Sequence, residues 1–336
     1  MPPIKFLVAA VVIIGMLCWG TGCTTGGTGH EQTVLKVLPA GSLLQPFEEV
    51  EKAFEAEHPD VDVQVEGHGS IQVIRQVTDL HRPVDVVAVA DASLIPDLMF
   101  RTDPATGTNF TDSYTPFARN AMVIAYTNKS RYANEITSEN WGAVLSRPDV
   151  RVGISNPMLD AAGYRSIMVT LLADRYYANS TLFTDLIGRH FTPPLVAEDV
   201  DGVATVRLPE VLHPSDEKLV IRDGSIFVLS HLEAGGIDYA FEYRSVAEGH
   251  DLRWIDLPPA IDLSSQNPAE GYGKVKVVLG FQRFSAIGQD RIGQPIVYAV
   301  TIPNTAPNRD LASEFADLVV KESESGGKGW PATLGG

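Results

Sequence analysis

The sequence predicts an α/β fold of two lobes with a ligand cleft between them. Three observations carry that expectation. From residue 34 the hydrophobic period switches repeatedly between that of a strand and that of a helix. The stretch "PVDVVAVA" (83–90) is apolar without alternation, as strands of a parallel sheet covered on both faces are. The chain also leaves its first unit near residue 118, builds a second and returns late, so that more than one segment crosses between the units.

In order, "VLKVLPA" (34–40) reads as a strand. "SLLQPFEEVEKAFEAEH" (42–58) places Leu43, Phe47, Val50 and Phe54 on one helical face. "VDVQVEG" (61–67) alternates Val61, Val63 and Val65 as a half-buried strand, and "SIQVIRQVTDLH" (70–81) is a helix with Ile74 and Val77 inward. With 83–90 this makes βαβαβ, hence a parallel sheet. The second unit opens at "ARNAMVIAYTNKS" (118–130) and continues through the strand "VRVGISNP" (150–157) and the helix "AAGYRSIMVTLLADRYY" (161–177). A basic, proline-containing stretch runs to about residue 222, before "GSIFVLSHLEAGGIDYAFEYRSVAEGHDLRWIDLP" (224–258). "LPPAIDLSSQNPAEG" (257–271) reads as a connection. The strands "KVKVVLGF" (274–281) and "PIVYAVTIP" (295–303) and the helix "RDLASEFADLVVKESE" (309–324) then return to the first unit. The expected division is residues 33–118 plus 275–322 for lobe 1 and 119–274 for lobe 2, with a hinge where strands cross.

The N-terminus is built differently. Lys5 precedes the apolar run "FLVAAVVIIGMLCW" (6–19), shorter than the roughly 20 residues that span a bilayer, and small residues lead to Cys23. Residues 1–22 are expected to be an export signal, Cys23 a lipid anchor and 23–32 a flexible tether. "GTGC" lacks the leucine that usually stands three residues before such a cysteine. Cleavage would remove Cys18 and leave no intramolecular disulfide. The mature protein is thus expected outside the cytoplasm, held to the outer face of the membrane. Asn109, Asn128 and Asn179 begin N-x-S/T triplets suited to an exported chain.

With 26 basic and 42 acidic residues the formal charge is −16. Nucleic acids and acidic lipid surfaces are therefore poor partners, and any anion must be held by local dipoles against the global field. Such dipoles are in place at the strand exits. "AGS" at Ser42, "GHGS" at Ser70 and "ADAS" at Ser93 each put a serine at a helix start, at the carboxyl edge of the sheet where open α/β folds bind ligands. Any one such serine is usually just an N-cap, but three at equivalent ends of a parallel sheet point to the ligand crevice. No P-loop or GxGxxG is present. Ser70 beside His68 allows a secreted serine hydrolase as an alternative, although GxSxG is absent. The eight histidines are scattered without HExxH, and no EF-hand loop occurs. Asp160 and Glu242 remain. By spacing alone Asp160 reads equally as the cap of its helix, and Glu242 as a partner of Arg244 or another surface cation.

Several stretches occur in order over nearly the whole mature chain: "AGSLLQPF", "GSIQVIRQV", "DVVAVADASLIP", "ARNAMVIAYTNKSRYA", "ISNPMLDAAGYRS", "GIDYAFEYRSVA" and "QPIVYAVTIPN". Through them the chain resembles the archaeal tungstate/molybdate-binding proteins of ABC transporters, which have the type II periplasmic-binding-protein fold. The resemblance implies that Gly41, Ser42, Ser70 and Ala161 hold the oxygens of a bound tungstate or molybdate. It implies that Asp160 and Glu242 bond the metal atom itself and expand it from tetrahedral to distorted octahedral. It further implies a monomer that needs no cofactor, performs no catalysis and delivers its ligand to a membrane permease. The family commonly has Asp-Pro where this chain has Asp160-Ala161.

Two carboxylates repel a dianion by roughly 4 kcal/mol per unit-charge pair at about 4 Å and an effective dielectric of about 20. Sulfate is disfavoured by that cost, whereas molybdenum(VI) and tungsten(VI) can accept carboxylate oxygens. Protonated phosphate, which can donate a hydrogen bond to a carboxylate, stays as the alternative ligand.

Overall fold

A computed structural model of the chain describes residues 32–178, 181–267, 271–280 and 290–335. The expected signal, the expected tether up to residue 31 with Cys23, and Asn179 and Ser180 lie outside the described residues. The first unit is βαβαβ, as its periodicity predicts. β1 (Thr33–Pro39) leads through a 3-10 turn (Gly41–Leu43) into α1 (Leu44–Glu57), followed by β2 (Val61–Val65), α2 (Ser70–Thr78), β3 (Val86–Val89) and α3 (Leu94–Met99). β1 pairs in parallel with both β2 and β3, and every residue of β3 is buried.

The chain then crosses. β4 (Thr115–Arg119) stays with the first sheet, and β5 (Met122–Tyr126), two residues on, joins a second. α4 (Trp141–Leu145), β6 (Val152–Ser155), α5 (Ala161–Tyr176) and α6 (Leu182–Leu186) come next. The stretch for which the sequence predicts no regular element holds β7 (Ala197–Val200), β8 (Val203–Arg207) and β9 (Leu219–Arg222). α7 (Ser225–Glu233), β10 (Tyr239–Tyr243), α8 (Arg244–Gly249) and β11 (Arg253–Asp256) complete a five-stranded sheet ordered β11-β5-β10-β6-β9.

The return differs from expectation. β12 (Val275–Val278), placed by the sequence with the first sheet, pairs instead with β8 and with β13 (Asp290–Ile292) in a separate four-stranded sheet that ends on β7. Its buried Val275 and Val277 make it a one-sided strand that packs toward α5. The chain rejoins the first sheet only at β14 (Val297–Thr301), and α9 (Arg309–Ser325) packs on α1 as predicted. β15 (Ala332–Thr333) then adds a last edge strand, giving the order β15-β4-β14-β3-β1-β2. The fold is therefore α/β with two lobes, one on the six-stranded and one on the five-stranded sheet.

α5 lies at the centre. Its residues 161–173 are all buried, and its neighbours include β5, β6, β10 and β12. An apolar surface all round is what a helix enclosed by sheets requires. Gly163 permits the closest approach, since a Cβ there would stand 2.3 Å from the Ser155 carbonyl oxygen.

Candidate functional site

The serine junctions do not act as ordinary caps. Ser42 lies inside the 3-10 turn, Ser70 is the first helical residue of α2 behind Gly69, and Ser93 precedes α3, yet none makes a side-chain cap bond. The Ser70 hydroxyl, fully buried, accepts from the Ala90 amide at 3.0 Å. The Ser42 hydroxyl accepts from the Tyr298 phenol at 3.0 Å. Ser93 turns away and donates to Asp91 at 2.7 Å, so it belongs to a neighbouring cluster.

With its hydroxyl engaged, Ser70 leaves the start of α2 to be capped from elsewhere, and the cap comes from the other lobe. The amides of Ile71 and Gln72 donate to the Leu159 carbonyl at 3.0 and 3.1 Å, and the Ser70 amide donates to Asp160 Oδ1 at 3.4 Å. Asp160 Oδ2 accepts the Ser225 amide, the first of α7, at 3.1 Å. Asp160 thus stands at the start of α5, as the sequence predicts, but does not cap it in the usual way through the second or third amide. Its carboxylate bridges the positive ends of α2 and α7 instead. Burial pushes its pKa up, against the Ser155 hydroxyl and the Ser70, Ser225 and Ala161 amides, which favour the charge.

Gly69 makes this contact possible. Its φ of −63° suits any residue, but a Cβ would stand 2.4 Å from the Leu159 carbonyl oxygen and 2.9 Å from Asp160 Cβ. Gly69→Ala is therefore expected to force the lobes apart and to destabilise the closed protein by about 1–3 kcal/mol. Chemical denaturation, with small-angle scattering to register the opening, checks this.

Glu242 comes from β10, whose five residues are all buried. It is 1% exposed; Oε1 accepts the Tyr243 amide at 2.8 Å, and Oε2 has no partner. Its pKa is raised from 4.5 to about 8, chiefly by burial and also by the charge of Asp160, against the Tyr243 amide. Arg244, offered by the sequence as its surface partner, pairs with Asp256 at 3.4 Å. Among the described residues no cation is among the groups that act most on Asp160 or on Glu242. Gly41 and Ser42 border a cavity of about 400 Å³ that Gln45, Ile226 and Ser245 also line; Asp160 and Glu242 are buried and do not line it. Ala161 is buried beside Asp160.

Sequence reasoning missed the groups that brace the site. Arg165, 2% exposed, donates through Nη1 to the Ala90 carbonyl at 2.7 Å and to the Tyr243 phenol at 2.8 Å. Tyr164 donates to Asp91 at 2.6 Å. Burial alone would raise the pKa of Asp91; Arg165, Tyr164, Arg291 and Ser93 outweigh it and hold the carboxylate charged. The available signal was Arg165 itself, the one arginine within the buried run 161–173 of α5, because buried arginines are paired. Ser70 and His68 form no dyad: the His68 ring nitrogen meets Glu66 at 2.7 Å, and the Ser70 hydroxyl serves Ala90. Among the described residues no group of three or more His, Cys, Asp or Glu could hold a metal ion. Two carboxylates are few for a bare cation, but enough for a metal that arrives with its own oxygens.

Two lobes closed on a buried polar site define a solute-binding protein, and the chain belongs to the bacterial extracellular solute-binding protein family, which it matches over residues 35–325. Within that family it is similar to the molybdate/tungstate-binding protein WtpA of Thermococcus kodakarensis, at 36% identity over 96% of this chain and 88% of that one. It is 41% identical to an uncharacterized solute-binding protein of Methanoculleus marisnigri, over 94% of this chain and 86% of that one. The periplasmic molybdate-binding protein of Azotobacter vinelandii shares the fold, with a TM-score of 0.51 at 17% identity, covering 88% of this chain and 94% of that one. The resemblance drawn from the motifs holds. Among the described residues no helix is long and apolar enough to cross a membrane.

Proposed function

We propose that this protein captures tungstate or molybdate in the interlobe site and delivers it to an ABC permease. One observation carries the reading. Two buried carboxylates, Asp160 and Glu242, are close enough for the charge of Asp160 to act on Glu242, no cation is among the groups that act most on either, and Glu242 Oε2 has no partner among the described residues. Such a pair is costly unless a proton or an electron-pair acceptor joins it, and a hexavalent metal centre is an acceptor. In this reading Asp160 and Glu242 bond the metal. Gly41, Ser42, Ser70 and the Ala161 amide hold the oxygens, supported by the positive starts of α2 and α7. The relatives named for molybdate and tungstate support the ligand class. Closure is a hinge motion at the crossings near Asn120 and Ile296. Export, a lipid tether at Cys23 and a monomeric state complete the proposal. Its exported setting is supported by the extracellular family, and mass analysis of the mature N-terminus tests the tether.

Titration calorimetry of the mature protein tests the ligand. Tungstate and molybdate should bind tightly, and phosphate and sulfate should give no heat. At a hundredfold excess over the dissociation constant the bound ligand should add about 2.7 kcal/mol of stability, raising Tm by several degrees. Phosphate binding in place of tungstate would overturn the proposal. That second reading is favoured by the raised pKa of Glu242, since a neutral carboxyl can donate a hydrogen bond to an oxyanion.

A further inference from the structure

Ser225 has no part in the site read from the sequence, yet it stands inside it. It is the first residue of α7, a nine-residue helix, and is 3% exposed. Its amide donates to Asp160 Oδ2 at 3.1 Å. Its hydroxyl lies 3.5 Å from the point where a side chain on Gly41 would begin, and the described residues give that hydroxyl no hydrogen-bond partner. Gly224, just before it, places its own would-be Cβ 3.7 Å from the Gly69 amide nitrogen. The starts of α2 and α7 and the Gly41 turn therefore meet at one point, beside Asp160. Glu242, whose buried Oε2 is also unpartnered, is close enough to Asp160 for their charges to interact.

A hydroxyl on a buried residue with no hydrogen-bond partner among the described residues, at the positive end of a helix, is able to donate to a bound anion. Gly41, next to Ser42, faces it from the other lobe. We propose that Ser225 is a further oxyanion contact, its hydroxyl donating to an unprotonated ligand oxygen from the five-stranded lobe, opposite Gly41 and Ser42. The ligand is then held by hydroxyls from both lobes, so that closure completes the oxygen shell and does not merely cover it. This inference rests on the oxyanion-binding reading above.

The test is titration calorimetry of the mature protein with sodium tungstate, using the wild type, Ser225→Ala and Ser225→Thr. Ala keeps the helix start and removes the hydroxyl; Thr restores a hydroxyl at the same atom. A hydrogen bond to a charged acceptor predicts roughly tenfold or greater weakening in Ser225→Ala. Ser225→Thr should recover at least part of that loss, and the Tm of the ligand-free protein should be unchanged. Wild-type affinity in Ser225→Ala overturns the inference, as does equal weakening in the Ala and Thr variants, which would mark a packing effect. Absence of tungstate binding by the wild type overturns the oxyanion reading itself, a result distinct from either of these.

Discussion

Asp160→Asn is expected to lower tungstate affinity by at least about a hundredfold while leaving the ligand-free protein as stable as the wild type. Asparagine keeps an oxygen that can accept from the Ser70 and Ser225 amides, so the bridge between the two helix starts survives in part. Burial already disfavours the charge that the substitution removes, because the pKa of Asp160 is raised despite its amide partners. The ligand loses more, since an amide oxygen is a far weaker donor to a hexavalent metal than a carboxylate. Asp160→Ala should bind as poorly and also lose stability, by about 1–3 kcal/mol for each amide left without a partner. Calorimetry and thermal unfolding of the two variants separate the roles. Wild-type affinity in Asp160→Asn would reduce Asp160 to a cap for α2 and α7.

The first lobe is legible because local rules and global fold agree there. Ile74, Val77 and the unbroken "VVAV" state a parallel sheet in the language of hydrophobic period, and β1 to β3 form it. The return of the chain is not legible at Val275. Its alternation identifies a strand but not a partner, and β12 chose β8, in a stretch where β7 is wholly exposed and carries no hydrophobic pattern. The site divides in the same way. Ser42 and Ser70 are visible because strand, small residue and serine recur at helix starts. "DGS" at Ser225 carries the same signal, following β9 as the others follow β1 and β2, but it lies in the second unit beyond a stretch that hid its strand. Arg165 reaches across the cleft to the Ala90 carbonyl, and Tyr243 and Tyr298 bond residues far from them in sequence, contacts that local sequence does not encode. Asp160 shows the limit most clearly. Its position at a helix start was readable, but which helices it caps depends on how the lobes close.

Glu242 should make the ligand-free protein less stable as pH rises. Its pKa is 4.5 as a free side chain and about 8 in the fold, raised first by burial and then by the charge of Asp160. Protonated, it costs the folded state little. Above pH 4.5 the unfolded chain can ionise it and the folded chain cannot, so its contribution is fully present at acid pH and lost between about pH 4.5 and 8. The full difference is up to roughly 5 kcal/mol. Glu242→Gln should remove that slope and stabilise the ligand-free protein at pH 8 by a few kcal/mol, measured by denaturant unfolding across this range. Capture of the ligand then reports the chemistry. Coordination requires the carboxylate, so at pH 7 tungstate should release about one proton from Glu242, seen as a dependence of binding heat on the ionisation enthalpy of the buffer. Glu242→Gln should then bind tungstate at least about a hundredfold more weakly. If no proton is released and Glu242→Gln binds as the wild type does, Glu242 acts as a hydrogen-bond donor to an oxygen. The anion would then stay tetrahedral, and selection against sulfate would have to come from somewhere other than coordination by Glu242.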